Sequence, residues 1–493
     1  MLRHNELPAD QAVHMIERYT RRNFLVAGVA AGTAYAAGLP ATASEESAEF
    51  VLNATPAKAD IVGGDYPKTM AWTYNGSVPG PLIRKRQGDR LRVRVHNRLA
   101  EPTTVHFHGI RMSNAMDGVP FVTQDPIAPK SSFLYDFKLP DAGTFWYHPH
   151  LNSSEQVARG LSGPLIVEER NPIAVDRDLL WVLDDWLLDK TAAIAGGFGN
   201  PHDLSHNGRI GNTVTINGRL PRQVSVRSGE RIRLRLVNVA NARIFALRFD
   251  GHTPKIIALD GQPVPAHAPD DSTVILAPAQ RADLILDMTQ PPGSRFTVSD
   301  RYYGRQAYRL VDIAYGSEKP LRKEPPDTPI ELPANPLPEP KLKDAARHEV
   351  VLEGGAMSGM MGGGMGGMMG GGPMGMHARG GRGLFWALNG VAMPEDMRRI
   401  DPLLTLQQGK SHILTLRNET AWDHPMHLHG HSFRVLSRNG KPETHTPWLD
   451  TVLLHPRDRV EIAFVADNPG DWMFHCHILE HQKAGMMATV RVA

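Results

Sequence analysis

A chain of 493 residues is too long for one ordinary core and predicts two to four domains. Its formal charge of +2, with 41% hydrophobic and 22% charged residues, is that of a soluble globular protein and lacks the basic excess of nucleic-acid binders, so no nucleic-acid partner is expected. A single cysteine, Cys476, excludes an internal disulfide framework and leaves that thiol either an inert buried group or a ligand.

The amino-terminal stretch TRRNFLVAGVAAGTAYAAGLPATASEE sets Arg21 and Arg22 before an apolar run and closes on Ala41 and Ala43. The run is too short and too rich in Gly and Ala for a membrane span. A charged start, an apolar middle and an A-x-A end predict a signal peptide over residues 1–43, with no membrane anchor left after cleavage near Ala43. The paired arginines followed by Asn-Phe-Leu resemble a twin-arginine signal, which would deliver an already folded protein to a bacterial periplasm. The alternative is an uncleaved amphipathic tail.

Beyond this segment the chain repeats itself. QGDRLRVRVHN, SGERIRLRLVN and QGKSHILTLRN each set a glycine nine positions before an asparagine: Gly88 and Asn97, Gly229 and Asn238, Gly409 and Asn418. Between them apolar residues alternate with polar ones, as Leu91, Val93 and Val95 do, which predicts a half-buried strand entered through a glycine turn. Copies this far apart exceed solenoid periods, so each belongs to a whole domain. Few long helical patterns interrupt them. The reading is all-β: three antiparallel β-sandwich domains over 44–170, 171–323 and 346–493. The Pro-rich stretch over 324–345 reads as a linker.

The repeats also locate the chemistry. Nine and eleven residues past Asn97 stand His106 and His108, and the same offsets past Asn418 give His427 and His429. In the middle copy they give Leu247 and Phe249. Four clusters result: HFHG (His106, His108), HPH (His148, His150), HPMHLHG (His424, His427, His429) and HCHILEHQKAGM (His475 to Met486). On a strand, residues i and i+2 share a face, so an H-x-H pair aims two imidazoles at one space. In HCH this sends His475 and His477 one way and Cys476 the other, so that one short segment touches two sites.

A soft thiolate with two imidazoles and a weak axial thioether is the blue-copper set. His481 and Met486 follow Cys476 closely, and His424 is the unpaired member of its cluster. Eight histidines remain for other metals: His106, His108, His148, His150, His427, His429, His475 and His477. That number exceeds any mononuclear site and favours copper over zinc, whose structural sites close with four ligands, often several of them thiolates. Other histidines, such as His202, His252, His412 and His455, read as ordinary surface or core residues.

With these motifs in this order, the chain resembles the multicopper oxidase family of laccases, ascorbate oxidase and bacterial cuprous oxidases. The resemblance implies three cupredoxin-like Greek-key β-sandwich or barrel domains, the middle one free of copper, and four copper ions. It implies type 1 ligation by His424, Cys476, His481 and Met486, and type 2 ligation by His106 and His427. It assigns one type 3 copper to His108, His148 and His477, and the other to His150, His429 and His475. It further implies a catalytic relay in which single electrons pass from a small reducing substrate through Cys476, His475 and His477 to dioxygen, with Asp117 in NAMDGVP supplying protons. Asp117 before Gly118 is also an ordinary turn. Asp450 in WLDTV is a candidate for orienting a ligand. Gln482 stands where several bacterial relatives carry a proton-relaying Glu, and it cannot take that role.

Residues 357–376, MSGMMGGGMGGMMGGGPMGM, form an insert whose glycine content predicts a mobile loop. Thioethers select Cu(I), so the run is either a device for capturing Cu(I) or a neutral low-complexity expansion. Three functions are therefore weighed: an exported oxidase of Cu(I) and phenols supporting copper tolerance; a phenol or Mn(II) oxidase with an incidental run; or a non-enzymatic copper-binding or structural cupredoxin. The complete ligand set argues against the last.

Overall fold

The three repeated stretches form the strands Arg90–Asn97, Arg231–Asn238 and Ser411–Asn418 in a computed structural model that describes residues 49–356, 384–395 and 401–493. The segment read as a signal peptide and the Met- and Gly-rich insert lie outside the described residues. Gly88, Gly229 and Gly409 each precede their strand at positive φ (93°, 82° and 73°), a conformation that a Cβ atom disfavours. Each strand ends on a buried asparagine. The Asn97 amide donates to the carbonyls of Glu101 and Ile127, that of Asn238 to Arg243 and Leu276, and that of Asn418 to Trp422 and His455. Each side-chain oxygen accepts the N–H two residues on, at Leu99, Ala240 and Thr420. This Asx geometry is the physical reason for asparagine at that offset: one side chain closes the turn that launches the next strand.

Around these strands lie three pairs of sheets. Two four-stranded sheets are built from Phe50 to Glu168, a six- and a five-stranded sheet from Arg177 to Tyr315, and a seven- and a five-stranded sheet from Ala346 to Val492. The antiparallel expectation needs one correction. Every one of these sheets contains a parallel pair, for example Phe50–Ala54 beside Val93–Asn97 and Ala346–Leu352 beside His412–Asn418. Alternation along a strand reports which face is buried, not which way its neighbour runs.

Each sheet pair encloses its own apolar cluster. Leu247 and Phe249 sit inside the middle one, so at the offset where the other copies carry histidines this copy carries packing. The Pro-rich stretch is pinned rather than loose. The Asn335 amide donates to the Ala142 carbonyl and to Gln262 Oε1, and Arg111 donates to the Pro336 carbonyl. Among the described residues no helix is long and apolar enough to cross a membrane.

Candidate metal centre

Cross-strand register assembles the histidines. In the first sheet pair His106 on His106–His108 faces His148 on Gly143–His148. In the third, His424–Leu428 pairs with Gly470–Cys476 so that His427 faces His475 and Met426 faces Cys476. Successive side chains point to opposite faces, so the histidine pair leaves the sheet on one side and the Met426–Cys476 pair enters the core on the other. His477 lies just past the strand end, its N–H donating to the Pro425 carbonyl at 2.7 Å.

The outcome is a set of buried clusters whose candidate ligand atoms lie within 4.8 Å of one another. They are His108, His148 and His477; His150, His429 and His475; His106, His108 and His427; His106, Asp117 and His429; and, apart from these, His424, Cys476 and His481. The first and third sheet pairs thus meet ring against ring, with His106 stacked on His429 at 3.9 Å and His108 on His427 at 3.8 Å. All ten histidines and Cys476 are buried.

The imidazoles are prepared to bind a cation. Burial, reinforced by neighbouring imidazoles, holds His148, His150, His429 and His477 well below the usual histidine range, and it lowers His108, His427 and His475 as well, so these rings are neutral and able to ligate. A carbonyl can only accept, so the Nδ1–H groups of His106, His148, His427 and His475 donate to the carbonyls of Asp117, Pro149, Asp450 and Cys476 at 2.8–3.0 Å. This turns each Nε2 lone pair inward. His108 is oriented the other way, its Nε2–H donating to Asp450 Oδ1 at 3.0 Å. Without hydrogen-bond partners among the described residues are Nε2 of His106, His148, His150 and His427, Nδ1 of His108 and both nitrogens of His477. Buried polar atoms are rarely orphaned, and so many converging at one place fit metal ions that take up their lone pairs.

The sulfur cluster converges on one point in a different way. Cys476 Sγ lies 3.5 Å from Nδ1 of His424 and 3.6 Å from Nδ1 of His481, and those nitrogens are 3.1 Å apart. The distal nitrogens are engaged elsewhere: Thr420 Oγ1 bonds His424 Nε2 at 2.7 Å, and His481 Nε2–H donates to the carbonyl of His206. Burial lowers His424 and takes His481 down to about 3, while it raises the Cys476 thiol. A thiolate is stable here only with a cation to replace the proton. Met486 is buried in the same core, its carbonyl accepting from the Cys476 N–H at 3.0 Å.

Asp117 bridges the two outer sheet pairs. It caps the 3₁₀ turn Asn114–Met116, as the turn reading had it, and its Oδ2 also accepts from His429 Nδ1 at 2.9 Å while Oδ1 lies 3.2 Å from His106 Nδ1. Asp450 backs His108 and is itself clasped by Arg281 from the middle sheet pair at 2.6 and 2.9 Å. Burial works against the Asp450 charge, but Arg281 and then His108 hold its carboxyl well below the usual range. Asp260 accepts from the main-chain N–H groups of Arg281 and Thr451. Burial and the Asp450 charge push it to about 7. Sequence reasoning missed Arg281, Asp260, Thr420, the His206 carbonyl and Trp386, whose ring lies 4.2 Å from that of His481. None of these positions carries a local pattern. Gln482 is buried, its Oε1 without a partner among the described residues, and the neighbouring carboxyl of Glu480 is raised by burial to about 7. Of the histidines set aside, His252 pairs with Tyr315, His412 with the Gln407 carbonyl and His455 with Asp423.

Sheets and clusters together define a β-sandwich protein built to hold several imidazole-bound metal ions, one of them beside a single sulfur. Multicopper oxidase family models match residues 56–172, 177–313 and 376–493. The chain is 30% identical to "Multicopper oxidase MmcO" of Mycobacterium tuberculosis, over 95% of its own length and 96% of that protein's. It is 32% identical to "Laccase-2" of Fomitopsis schrenkii, with 85% of each chain covered. Its fold superposes on the crystal structure of a multi-copper oxidase from Pseudomonas thermotolerans with a TM-score of 0.78 at 35% identity, covering 90% of this chain and 99% of that one. The chain belongs to the multicopper oxidase family. It is an oxidase with cupredoxin-like domains, and its cofactor is the family's four copper ions of types 1, 2 and 3.

Proposed function

We propose that the chain is a periplasmic oxidase, exported folded by a twin-arginine signal, that takes single electrons from Cu(I) and from laccase-type phenolic donors, delivers them to dioxygen, and supports copper tolerance. The observation that carries this reading is the sharing of three consecutive residues among three clusters: His475, Cys476 and His477. On this reading His424, Cys476, His481 and Met486 hold the type 1 copper, and His106 and His427 the type 2. His108, His148 and His477 hold one type 3 copper, and His150, His429 and His475 the other. Bound there, copper supplies one-electron oxidation of the donor and four-electron reduction of dioxygen to two waters.

The chain's own part is to connect and to orient. The peptide units on either side of Cys476 lead directly to His475 and His477. The hydrogen bond from His475 Nδ1–H to the Cys476 carbonyl, at 2.9 Å, adds a second short connection. Asp117, its carboxylate held between His106 and His429, would supply protons for the reduction of dioxygen, a role that Gln482 cannot take. On this reading the domains run over 44–170, 171–323 and 346–493, with 324–345 linking the last two; the grouping of the strands from Phe50 to Glu168, Arg177 to Tyr315 and Ala346 to Val492 into separate sheet pairs supports it.

Phenolic donors are supported by the likeness to a laccase, and Cu(I) by the thioethers of residues 357–376. Oxygen uptake by copper-loaded protein tests both, comparing Cu(I), a diphenol and Mn(II) with and without residues 357–376. Cu(I) turnover that drops on deletion supports the Cu(I) reading. Turnover with the diphenol or Mn(II) alone rejects it.

A further inference from the structure

His481 presents no edge to a donor. It is fully buried, Trp386 lies against its ring, and its outer nitrogen is bound to the His206 carbonyl. An electron bound for the sulfur cluster by the shortest route from this side must therefore arrive through residue 206. There the chain carries His202-Asp-Leu-Ser-His206, two histidines at i and i+4 on the short helix Pro201–Ser205 and its C-cap. That spacing puts two side chains on one helix face and is the geometry by which helices chelate metals. The two rings lie 4.2 Å apart and 9° from parallel. His206 Nδ1 is engaged with the His202 carbonyl at 3.1 Å and Ser205 Oγ at 3.0 Å, which leaves its Nε2 as the ligating atom. The His202 side chain is 73% exposed, and Asp203 Oδ1 lies 3.7 Å from its Nδ1. The ring of Trp422 closes the inner side, 5.2 Å from that of His206.

We propose that His202 and His206 form a docking site for Cu(I), and that its electron passes through the His206 main chain to His481. The proposal rests on the Cu(I)-oxidase reading above and names the site where that donor binds. Two imidazoles satisfy the low coordination number that Cu(I) accepts, and the adjacent Asp203 carboxylate favours a cation. The exposed His202 turns to share the ion with His206. The step is Cu(I) to Cu(II) with loss of one electron, which leaves for the sulfur cluster and ultimately reduces dioxygen; the Cu(II) product is released to solvent. The site lies on the connection between the strands Arg177–Trp186 and Thr213–Ile216 of the middle sheet pair, and its residues are not those of the thioether run.

The test compares copper-loaded wild type with His202→Ala, His206→Ala and the double variant. Alanine at 206 keeps the carbonyl that His481 needs, and the blue absorption band reports whether the sulfur cluster is intact. The ratio of kcat/KM for Cu(I) to that for a diphenol is expected to fall about tenfold or more in the double variant. Ag(I), a redox-silent stand-in for Cu(I), is expected to bind the four-copper double variant with a stoichiometry lower by one ion. An unchanged ratio together with an unchanged Ag(I) stoichiometry overturns the site. Wild type that loses one Ag(I) on double substitution yet never oxidises Cu(I) overturns the donor reading and the electron route while upholding the docking site.

Discussion

The middle sheet pair and the two outer ones share one strand plan and use it for opposite ends. At equal offsets from the repeated asparagine, the outer pairs carry His106 and His108 or His427 and His429, whereas the middle carries Leu247 and Phe249 inside its core. The middle pair instead reaches the site from its edges. It sends Arg281 to clasp Asp450, Asp260 to hold the main chain at Thr451, and the His206 carbonyl to His481. One scaffold position thus yields packing energy in one copy and unpartnered nitrogen in the others, and only the latter can bind metal.

Four substitutions probe that difference, from the largest effect to the smallest. Arg281→Met leaves the buried Asp450 charge without its main partner and should lower stability by about 3–5 kcal/mol, read as the shift in urea midpoint of metal-free protein. A loss below about 1 kcal/mol would mean that the middle pair contributes little to holding the outer two together. Leu247→Ala opens a cavity in the middle core and should cost about 2–5 kcal/mol while leaving the copper count at about four. A fall in copper would show that the middle core is not independent of the site. Asp117→Asn keeps the shape but removes the carboxylate; turnover should slow by about 10²-fold with the blue band intact, and unchanged oxygen uptake rejects the proton role. His106→Leu copies the middle domain's solution into the first. It removes a buried orphan nitrogen but also the donor to the Asp117 carbonyl, so the two effects oppose and the stability of metal-free protein should change by less than about 1 kcal/mol while copper content falls. A loss above about 3 kcal/mol would show that the position serves the Asp117 hydrogen bond more than metal binding.

Much of this was legible in the chain. Period-two alternation and the glycine-to-asparagine offset located the strands, and the asparagines proved to be turn-closing side chains. The H-x-H rule sorted His475 and His477 from Cys476, because face alternation is local geometry that tertiary packing does not alter. Strand direction was not legible, since Leu91, Val93 and Val95 bury the same face beside a parallel or an antiparallel neighbour. Nor were Arg281 and His206. Their partners Asp450 and His481 are 169 and 275 residues away, and no spacing rule covers contacts made only when separate sheets meet. His202, set aside as an ordinary surface histidine, became informative only once the His206 carbonyl was seen on His481. Thr420 and Trp386, which fix the orientation of the sulfur cluster's rings, are likewise ordinary residues by type.

The central claim is that one sulfur joins an electron-collecting site to a separate oxygen-reducing site. Copper analysis and oxygen uptake on Cys476→Ser test it directly. Serine fits the same buried space, so the account predicts that the variant loses its blue band, keeps about three copper ions of the original four, and stops oxidising every donor. A variant that still consumes oxygen at the wild-type rate, or wild type that holds about one copper, would contradict it.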